Sequence, residues 1–589
     1  MILRAFSTFF VTSVLLVPQQ ATKSEEKPWV TRSNSFTQML VDVQLRHSPE
    51  MASSQGLKQY DSEIGQPTKT DEDKAIAETR TVLQKFEVQQ PNESDANVSQ
   101  DLQILINSIH LELREHAFGR EHEVPFINAS EYVFSGIRSL LDDQVSADRR
   151  PAALVRLRKY AGMDSRYQPI TQLLRQRTEE QMAKPNMIYP AKLEVETELA
   201  RTGNYIDEIA ALFTKYKIDG WREAHAKLKA QLDDYNGWIR STVLPKARTD
   251  FRLPPEEYAL AFEQYGIDIP PAQIAQMAHR AFDEIQAQMG KISAQIAAQR
   301  HLPSSDYRDV IRELKKQQLQ GEAILPFYET RLKDIETIIQ QHRLVTLPAR
   351  AARIRIATPA ETAQQPAPHM KPPPFLHNTG EQGEFVLPLN MPSGSGSNTN
   401  EKVDDYTFDA AAWTLTAHEA RPGHELQFDS MVEHGTSLAR VLYAFNSTNV
   451  EGWGLYAEYI TLPYMPLEGQ LISLQFRLLR AARAFLDPEL QMGKIKPDDA
   501  MRVLTQDGVF SKPFANQEVE RYTFRMPGQA NSYFYGYTKL LGLRKDAEAE
   551  LGEKFDAMKF HDFILAQGLL PPDLMRKAVM QRFVGGSGQ

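Results

Sequence analysis

Apolar residues recur at helical spacing through much of the chain, and this periodicity constrains the fold more than any other feature of the sequence. The pattern is clear at residues 102–113 and 206–213, and again at 272–289, where a Pro-Pro pair precedes it. Residues three and four apart share one face of an α-helix, whereas a strand would alternate apolar and polar positions. We therefore predict a mainly α, multi-helix chain.

Two short segments before residue 400 depart from the helical pattern. Residues 353–357 alternate like a strand, and residues 383–390 form a second strand-like run that contains Pro388. Because proline cannot donate a hydrogen bond to a neighbouring strand, we expect this run to lie at the edge of a sheet or Pro388 to lie at the end of the strand. A Gly/Ser/Asn-rich loop at 391–400 follows, and helical patterns then return. We expect a small β element between two helical regions.

The N-terminus is typical of an exported chain. A short basic start is followed by an apolar run of roughly 13 residues, shorter than the roughly 20 residues of a membrane-spanning helix. We expect a signal peptide at 1–21, a helical N-terminal region at 22–345 and a C-terminal region at 346–589 that holds the β element. The mature chain is expected in the periplasm or outside the cell, without stable membrane insertion.

Charge and cysteine content exclude several classes of protein. Acidic and basic residues are mixed along the chain and the formal net charge is −9, so we expect no basic face for nucleic acid. The chain contains no cysteine. This excludes disulfide bonds, thiol catalysis, zinc sites built on cysteine and a lipid anchor on an N-terminal cysteine.

The segment His418-Glu419-Ala-Arg-Pro422-Gly423-His424 indicates a metal site. In the common zinc motif, histidines at i and i+4 lie on one helical face and bind the metal, while the glutamate between them acts as general base. Here the spacing is six residues. On a regular helix the second histidine would lie about 240° around the axis from the first, so the two rings would point apart. Proline interrupts helical hydrogen bonding and glycine tolerates unusual backbone angles. We predict a break at Pro422 and Gly423 that returns His424 to the side of His418.

A second histidine pair shows why the intervening residues matter. His110 and His116 have the same spacing of six, but neither proline nor glycine lies between them. On a continuous helix their rings would point apart. We interpret this pair as ordinary residues of a helix surface.

A third ligand is predicted from Glu451, which follows His424 by 27 residues. Glu451 and Glu458 are seven apart, so they share a helix face with Leu455 between them. Two acids on such an apolar face are costly to bury without partners. We predict that Glu451 binds the metal and that Glu458 orients a histidine. The alternative is that both glutamates face solvent.

The chain resembles the bacterial domain-of-unknown-function 885 family, whose members look like gluzincin-type zinc metallopeptidases. The family pattern His-Glu-x-x-Pro-Gly-His-x-x-Gln matches residues 418–427, its Glu-Gly-Trp block matches 451–453, and a later pattern matches residues 521–536. Residues 374–377 depart from the Tyr-Tyr-x-Pro-Pro-like pattern usual before the second strand. The resemblance implies a large, multi-helix, zincin-like metallopeptidase fold with the β element before the active-site helix and one zinc ion per chain.

These residues predict hydrolysis by metal-activated water. Zinc with three protein ligands keeps a fourth position for water, and Glu419 would move that water's proton to the leaving amine. For the oxyanion donor we choose Tyr533 first and Arg521 second, because both lie in the segment that the resemblance highlights. Tyr533 as a packing aromatic residue is the alternative. Gln427 is expected beside a ligand, or else at the surface.

The expected function is that of a secreted zinc metallopeptidase acting on a peptide or small amide. The run at 383–390 would offer its edge to an extended peptide, and His377 lies close to it in sequence. A zinc amidohydrolase acting on a non-peptide amide or ester would use the same metal chemistry and stays open. So does an inactive binding protein of the same fold, although Glu419 and all three predicted ligands are present.

Overall fold

A computed structural model describes residues 27–365, 367–388, 403–444 and 446–588. The predicted signal peptide at 1–21 and the predicted loop at 391–400 lie outside these residues. Within the described ranges, no helix combines the length and apolarity that crossing a membrane requires.

The described residues form 23 α-helices and one three-stranded sheet, so the prediction of a mainly α chain is confirmed. The N-terminal helices are α1 Pro28–His47, α2 Pro49–Ser54, α3 Lys69–Gln89, α4 Ala96–His122, α5 Ala129–Arg138, α6 Ala152–Tyr160, α7 Ile170–Met182, α8 Lys192–Lys215 and α9 Arg222–Trp238. The middle helices are α10 Pro255–Gln264, α11 Pro271–Arg300, α12 Tyr307–Leu314, α13 Ile324–His342 and α14 Pro359–Gln364. The C-terminal helices are α15 Asp409–Leu415, α16 His424–His434, α17 Ser447–Thr461, α18 Leu467–Gln491, α19 Pro497–Arg502, α20 Lys512–Glu520, α21 Asn531–Leu551, α22 Ala557–Ala566 and α23 Pro572–Ala578.

Local sequence explains where several helices begin. The side chain of Asp95 accepts hydrogen bonds from the first backbone amides of α4, and the side chain of Asn446 does the same for α17 at 2.7 Å. Pro271 opens α11, where its missing amide hydrogen costs nothing. α4 is continuous through His110 and His116. Their side chains are 52% and 44% exposed, which agrees with the interpretation of this pair as surface residues.

α18 lies at the centre of the C-terminal region. It is 25 residues long and buries residues on all its faces, as expected for a helix surrounded by protein. Its apolar side chains join one large core with residues of α10 to α13, α15 and α20. Residues on both sides of position 345 therefore pack in the same core.

The small sheet consists of β1 Arg353–Ile356, β2 His369–Lys371 and β3 Glu384–Leu387, in the order β1-β3-β2. β3 pairs with β1 in parallel and with β2 in antiparallel fashion. Of the two positions expected for Pro388, the sheet edge is excluded for β3 and the strand end is confirmed. β3 ends at Leu387, so Pro388 follows the ladder and removes no hydrogen bond from it.

Candidate metal centre

His418 and His424 are brought together by an interruption between two helices. α15 continues into a π-helical turn, Thr416–Ala420, which carries His418. The chain then turns at Pro422 and Gly423, and α16 begins at His424. The two imidazole centroids are 4.6 Å apart and their planes are inclined by 82°. The predicted break is present and places the two rings side by side.

Two glycines make room for the imidazoles. Gly423 has an ordinary φ of −75°, but a Cβ atom there would lie 1.8 Å from the carbonyl oxygen of His418. A Cβ atom at Gly454, on α17, would lie 2.8 Å from Nε2 of His418 and 2.9 Å from Cε1 of His424. A side chain at position 423 is thus excluded by the close approach of the preceding turn.

Glu451 completes a group of three potential ligands. Its Oε2 atom lies 3.5 Å from Nε2 of His418 and 3.3 Å from Nε2 of His424. The three ligand atoms lie within 4.8 Å of one another. Ligand atoms about 2.0–2.1 Å from a tetrahedral zinc ion are separated by about 3.3–3.4 Å. The two measured separations therefore fit zinc.

The carboxylate of Glu451 also indicates a cation. Its Oε2 atom is buried and has no hydrogen-bond partner among the described residues. Buried polar atoms nearly always have partners, and a buried charge is normally paired or binds a metal. A cation between this oxygen and the two Nε2 atoms would satisfy all three groups. The residues present fit a metal ion.

Glu458 fixes the orientation of His418. Its Oε1 atom lies 2.7 Å from Nδ1 of His418, and its Oε2 atom accepts a hydrogen bond from the hydroxyl of Thr414 at 2.8 Å. Burial disfavours the charged carboxylate, but Arg480 and His418 outweigh this effect and lower the pKa of Glu458. With its Nδ1 proton donated to a carboxylate, His418 presents the lone pair of Nε2 to the metal position. The structure thus brings Glu458 to the place predicted for it.

Glu419 lines the same cavity as the three ligands, a cleft of about 860 Å³. Burial raises the pKa of Glu419 to about 8; His424 opposes the rise and the charge of Glu451 adds to it. A bound cation would act in the opposite direction and favour the carboxylate. A carboxyl group that titrates near neutrality can both accept and return a proton.

Tyr533 and Arg521 also meet at this cavity. The ring of Tyr533 lies 6.2 Å from that of His418, with the planes inclined by only 14°. Nη2 of Arg521 donates a hydrogen bond of 2.9 Å to the Tyr533 hydroxyl. Burial raises the pKa of Tyr533, although Arg521 opposes the rise. The hydroxyl therefore keeps its proton and, with Arg521 bonded to its oxygen, can donate that proton to a ligand in the cleft.

The sequence matches a family of bacterial proteins of unknown function, DUF885, over residues 49–579. The chain belongs to this family. The family resemblance drawn from the motifs is therefore confirmed, whereas the likeness to gluzincin peptidases stays a prediction. No curated protein matches the chain.

Two solved structures resemble this DUF885 protein over nearly its whole length. One is a candidate lipoprotein of unknown function from Shewanella oneidensis, with a TM-score of 0.69 and 19% identity, covering 94% of this chain and 100% of its own. The other is a candidate lipoprotein from Colwellia psychrerythraea, with a TM-score of 0.74 and 18% identity, covering 95% and 100%. At these identities the likeness shows the fold alone.

Gln427 of this DUF885 protein is buried rather than at the surface. Its Nε2 atom donates a hydrogen bond of 3.0 Å to Oδ1 of Asn449, two residues before Glu451. The bond links α16 to α17, the two helices that carry His424 and Glu451. Through this bond Gln427 holds α16 and α17 together and contacts none of His418, His424 and Glu451.

Several residues of the cleft were missed by the sequence argument. The cleft is lined by Arg480 and Arg483 of α18 and by Glu518 of α20. These residues adjoin His418, His424 and Glu451, which we call the metal group. The signal was available, since α18 carries arginines at every third position within an otherwise apolar run. His369 of β2 also lines the cleft, whereas His377, expected near it, is exposed and contacts Gly56.

Proposed function

We propose that this DUF885 protein is a zinc-dependent metallohydrolase that cleaves peptide bonds. One observation carries the proposal: three buried ligand atoms and the carboxyl group of Glu419 face one cavity of about 860 Å³. A structural zinc ion is normally enclosed by four protein ligands, whereas a catalytic one has three and an open position. The group of His418, His424 and Glu451 has three members among the described residues, which supports a catalytic zinc ion, one per chain.

Each proton transfer in the proposed mechanism is assigned to a residue of this chain. Zinc bound here supplies a Lewis acid that lowers the pKa of water and polarises the substrate carbonyl. Glu419 accepts a proton from the attacking water on a carboxylate oxygen as the new C–O bond forms. It then transfers this proton to the amine nitrogen as the C–N bond breaks. Glu458 keeps the proton of His418 on Nδ1 throughout.

Tyr533 is proposed to stabilise the tetrahedral oxyanion. Its hydroxyl already accepts a hydrogen bond from Arg521, so its own hydrogen is available to the oxyanion. Donors that are fixed before the reaction need no reorganisation as the charge develops. Arg521 acts through Tyr533 as a positioning residue in this scheme. The arrangement corresponds to that of a gluzincin: two histidines flank a break between helices, a third ligand is a glutamate on a following helix, and a second glutamate is the base. We propose a zincin-like fold on this basis.

The peptide is proposed to pair with β2 rather than with β3. β3 is covered on both sides by its neighbours, which removes the edge expected from the sequence. β2 is an outer strand, and its residues His369 and Met370 line the cleft. An extended peptide can add to such an edge through backbone hydrogen bonds. This would hold the scissile bond beside the metal group.

We also propose that the protein is exported to the periplasm or beyond. The N-terminal sequence has the composition of a signal peptide. Both solved structures described above are candidate lipoproteins, a class that is attached outside the cytoplasm. Fractionation of cells that express the full chain checks this, and recovery of the uncleaved chain in the cytoplasm would contradict it.

The test compares the zinc-loaded wild type with Glu419→Gln on a mixed peptide library, with matched non-peptide amides and esters in parallel. We expect about one zinc per chain in both proteins and peptide cleavage only by the wild type. Turnover confined to the non-peptide substrates would indicate an amidohydrolase. Zinc binding without turnover of either class would indicate a binding protein of the same fold.

A further inference from the structure

Three guanidinium groups surround the ring of Tyr533. The carbon atoms at the centre of these groups lie 5.8 Å (Arg480), 4.5 Å (Arg483) and 5.1 Å (Arg521) from its centroid. All three arginines line the cleft that contains His418. Three positive charges therefore lie directly beside the metal group, on the side where Tyr533 would meet the substrate.

The carboxylates beside these arginines compensate their charge incompletely. Glu518 accepts two hydrogen bonds from Arg483, at 2.7 and 2.6 Å, and lies 3.6 Å from Arg521. The carboxylate paired with Arg480 is Glu458, at 3.5 Å, and it is already hydrogen-bonded to His418 and Thr414. Two carboxylates thus serve three guanidinium groups, and one of the two also serves a metal ligand.

Arg480 is the least satisfied member of this cluster. It is 5% exposed, and its Nη1 atom donates to the carbonyl oxygen of Phe476 at 3.1 Å. Its Nε atom is buried and has no hydrogen-bond partner among the described residues. A buried donor on a charged group is costly when unpaired. Because Arg480 lines the cleft, an anionic ligand there would compensate its charge.

Arg525 provides a contrast within the same cleft. Its Nη2 atom lies 3.1 Å from Glu198 and its Nε atom 3.2 Å from Glu520. The same two carboxylates pair with Arg201, so two carboxylates serve two arginines and the charge of Arg525 is compensated within the protein. Arg525 is a suitable control for the cluster around Tyr533.

We infer that Arg480, with Arg483 and Arg521 beside it, forms a subsite for a carboxylate of the substrate, the C-terminal α-carboxylate of a short peptide. The planar guanidinium group binds a carboxylate through paired, charge-assisted hydrogen bonds. Since the cluster adjoins Tyr533, the bound carboxylate lies close to the scissile bond. The inference rests on the proposed peptidase function and makes the enzyme an exopeptidase that acts at the C-terminus.

The kinetic test uses peptides of one sequence with neutral side chains, ending either in the free acid or in the amide. We expect kcat/KM of the wild type to be at least roughly tenfold higher for the acid. Arg480→Gln should bring the two values close together, whereas Arg525→Gln should preserve the preference. Zinc content and thermal unfolding establish that both variants are folded. The acid-to-amide ratio of the wild type tests the subsite even when Arg480→Gln does not fold.

A third peptide identifies the source of the carboxylate. It ends in an amide but carries aspartate or glutamate as its last residue. Slow cleavage of this peptide supports recognition of the C-terminus, and cleavage as fast as that of the free acid overturns it in favour of an acidic side chain. Equal rates for all three peptides would overturn the carboxylate subsite itself.

A binding measurement separates this inference from the proposed function. Zinc-loaded Glu419→Gln is titrated calorimetrically with the acid and amide peptides, a readout that requires no turnover. Tighter binding of the acid by about tenfold supports the subsite even when the wild type cleaves no peptide. Peptide cleavage with equal binding of acid and amide would retain the peptidase and reject the subsite.

Discussion

The Nδ1 atom of His418 lies 2.7 Å from Oε1 of Glu458, and this contact connects the candidate metal centre to the interior of the protein. Both side chains are 1% exposed. The same carboxylate accepts a hydrogen bond from Thr414 and lies 3.5 Å from Arg480. One glutamate thus fixes the candidate ligand His418 and joins it to the arginine cluster of the cleft.

We expect Glu458→Gln to weaken zinc binding by about 10- to 100-fold, because an amide holds the Nδ1 proton of His418 less firmly than a carboxylate does. Competition with a chelator measures the affinity. Glu548→Gln, which alters a partly exposed pair with Arg544, serves as the control and should leave the affinity unchanged. Equal affinities for the wild type and Glu458→Gln would contradict the orienting role.

Removal of the Tyr533 hydroxyl should slow catalysis without loss of the metal. We expect Tyr533→Phe to lower kcat by ~10²–10³, the usual effect of deleting an oxyanion donor, at unchanged zinc content. Tyr535→Phe is the matched control, since the hydroxyl of Tyr535 on the same helix bonds to Asp268 instead. Full activity of Tyr533→Phe per bound zinc would show that Tyr533 is only a packing residue.

A methyl group at Gly454 should displace the ligand rings. Its Cβ atom would lie 2.8 Å from Nε2 of His418, so we expect Gly454→Ala to lose most of its bound zinc. In Gly542→Ala the new Cβ atom meets nothing within 4 Å. That control should keep its zinc and gain up to ~1 kcal/mol in the free energy of unfolding, because alanine favours the helix over glycine. Normal zinc content in Gly454→Ala would be inconsistent with the geometry of the site.

His561 should make stability depend on pH. Burial lowers its pKa to about 4, and its ring lies 2.6 Å from the carbonyl oxygen of Leu344 and 2.8 Å from the hydroxyl of Tyr456. The unfolded chain binds a proton near pH 6.5, and the folded chain does so only near pH 4. Above pH 6.5 the neutral His561 therefore makes its full contribution to the free energy of unfolding. As the pH falls from 6.5 to 4, the free energy of unfolding decreases by an amount on the order of 3 kcal/mol.

Denaturant unfolding of the wild type and His561→Asn at pH 7 and pH 5 measures this effect. The free energy of unfolding of the wild type should fall by ~2 kcal/mol more than that of the variant between these pH values. Parallel losses in the two proteins would assign the pH dependence to other groups.

The local geometry of the metal group could be predicted because its determinants are close in sequence. Helix geometry turns two sequence features into positions in space. The Pro-Gly pair between His418 and His424 interrupts the helix, and the seven-residue spacing places Glu451 and Glu458 on one helix face. The bounds of β1 and β3 were also anticipated within a few residues. The helical class followed from periodicity.

What the sequence did not reveal depends on contacts between distant segments. β2, only three residues long, gave no strand signal, and without it β3 was taken for an edge. The pairing of Arg483 with Glu518 joins α18 to α20 across 35 positions. Likewise, the need for Gly454 arises only when α17 packs against His418 and His424. Such requirements come from tertiary packing and not from local patterns.

Zinc stoichiometry by elemental analysis tests the central claim most directly. The wild type, loaded with zinc and freed of excess metal, is compared with His424→Ala, whose folding is verified by circular dichroism. We predict about one tightly bound zinc ion per chain in the wild type and almost none in the variant. A folded wild type that retains no zinc, or a variant that retains as much as the wild type, would contradict the assignment of His418, His424 and Glu451 as the metal ligands.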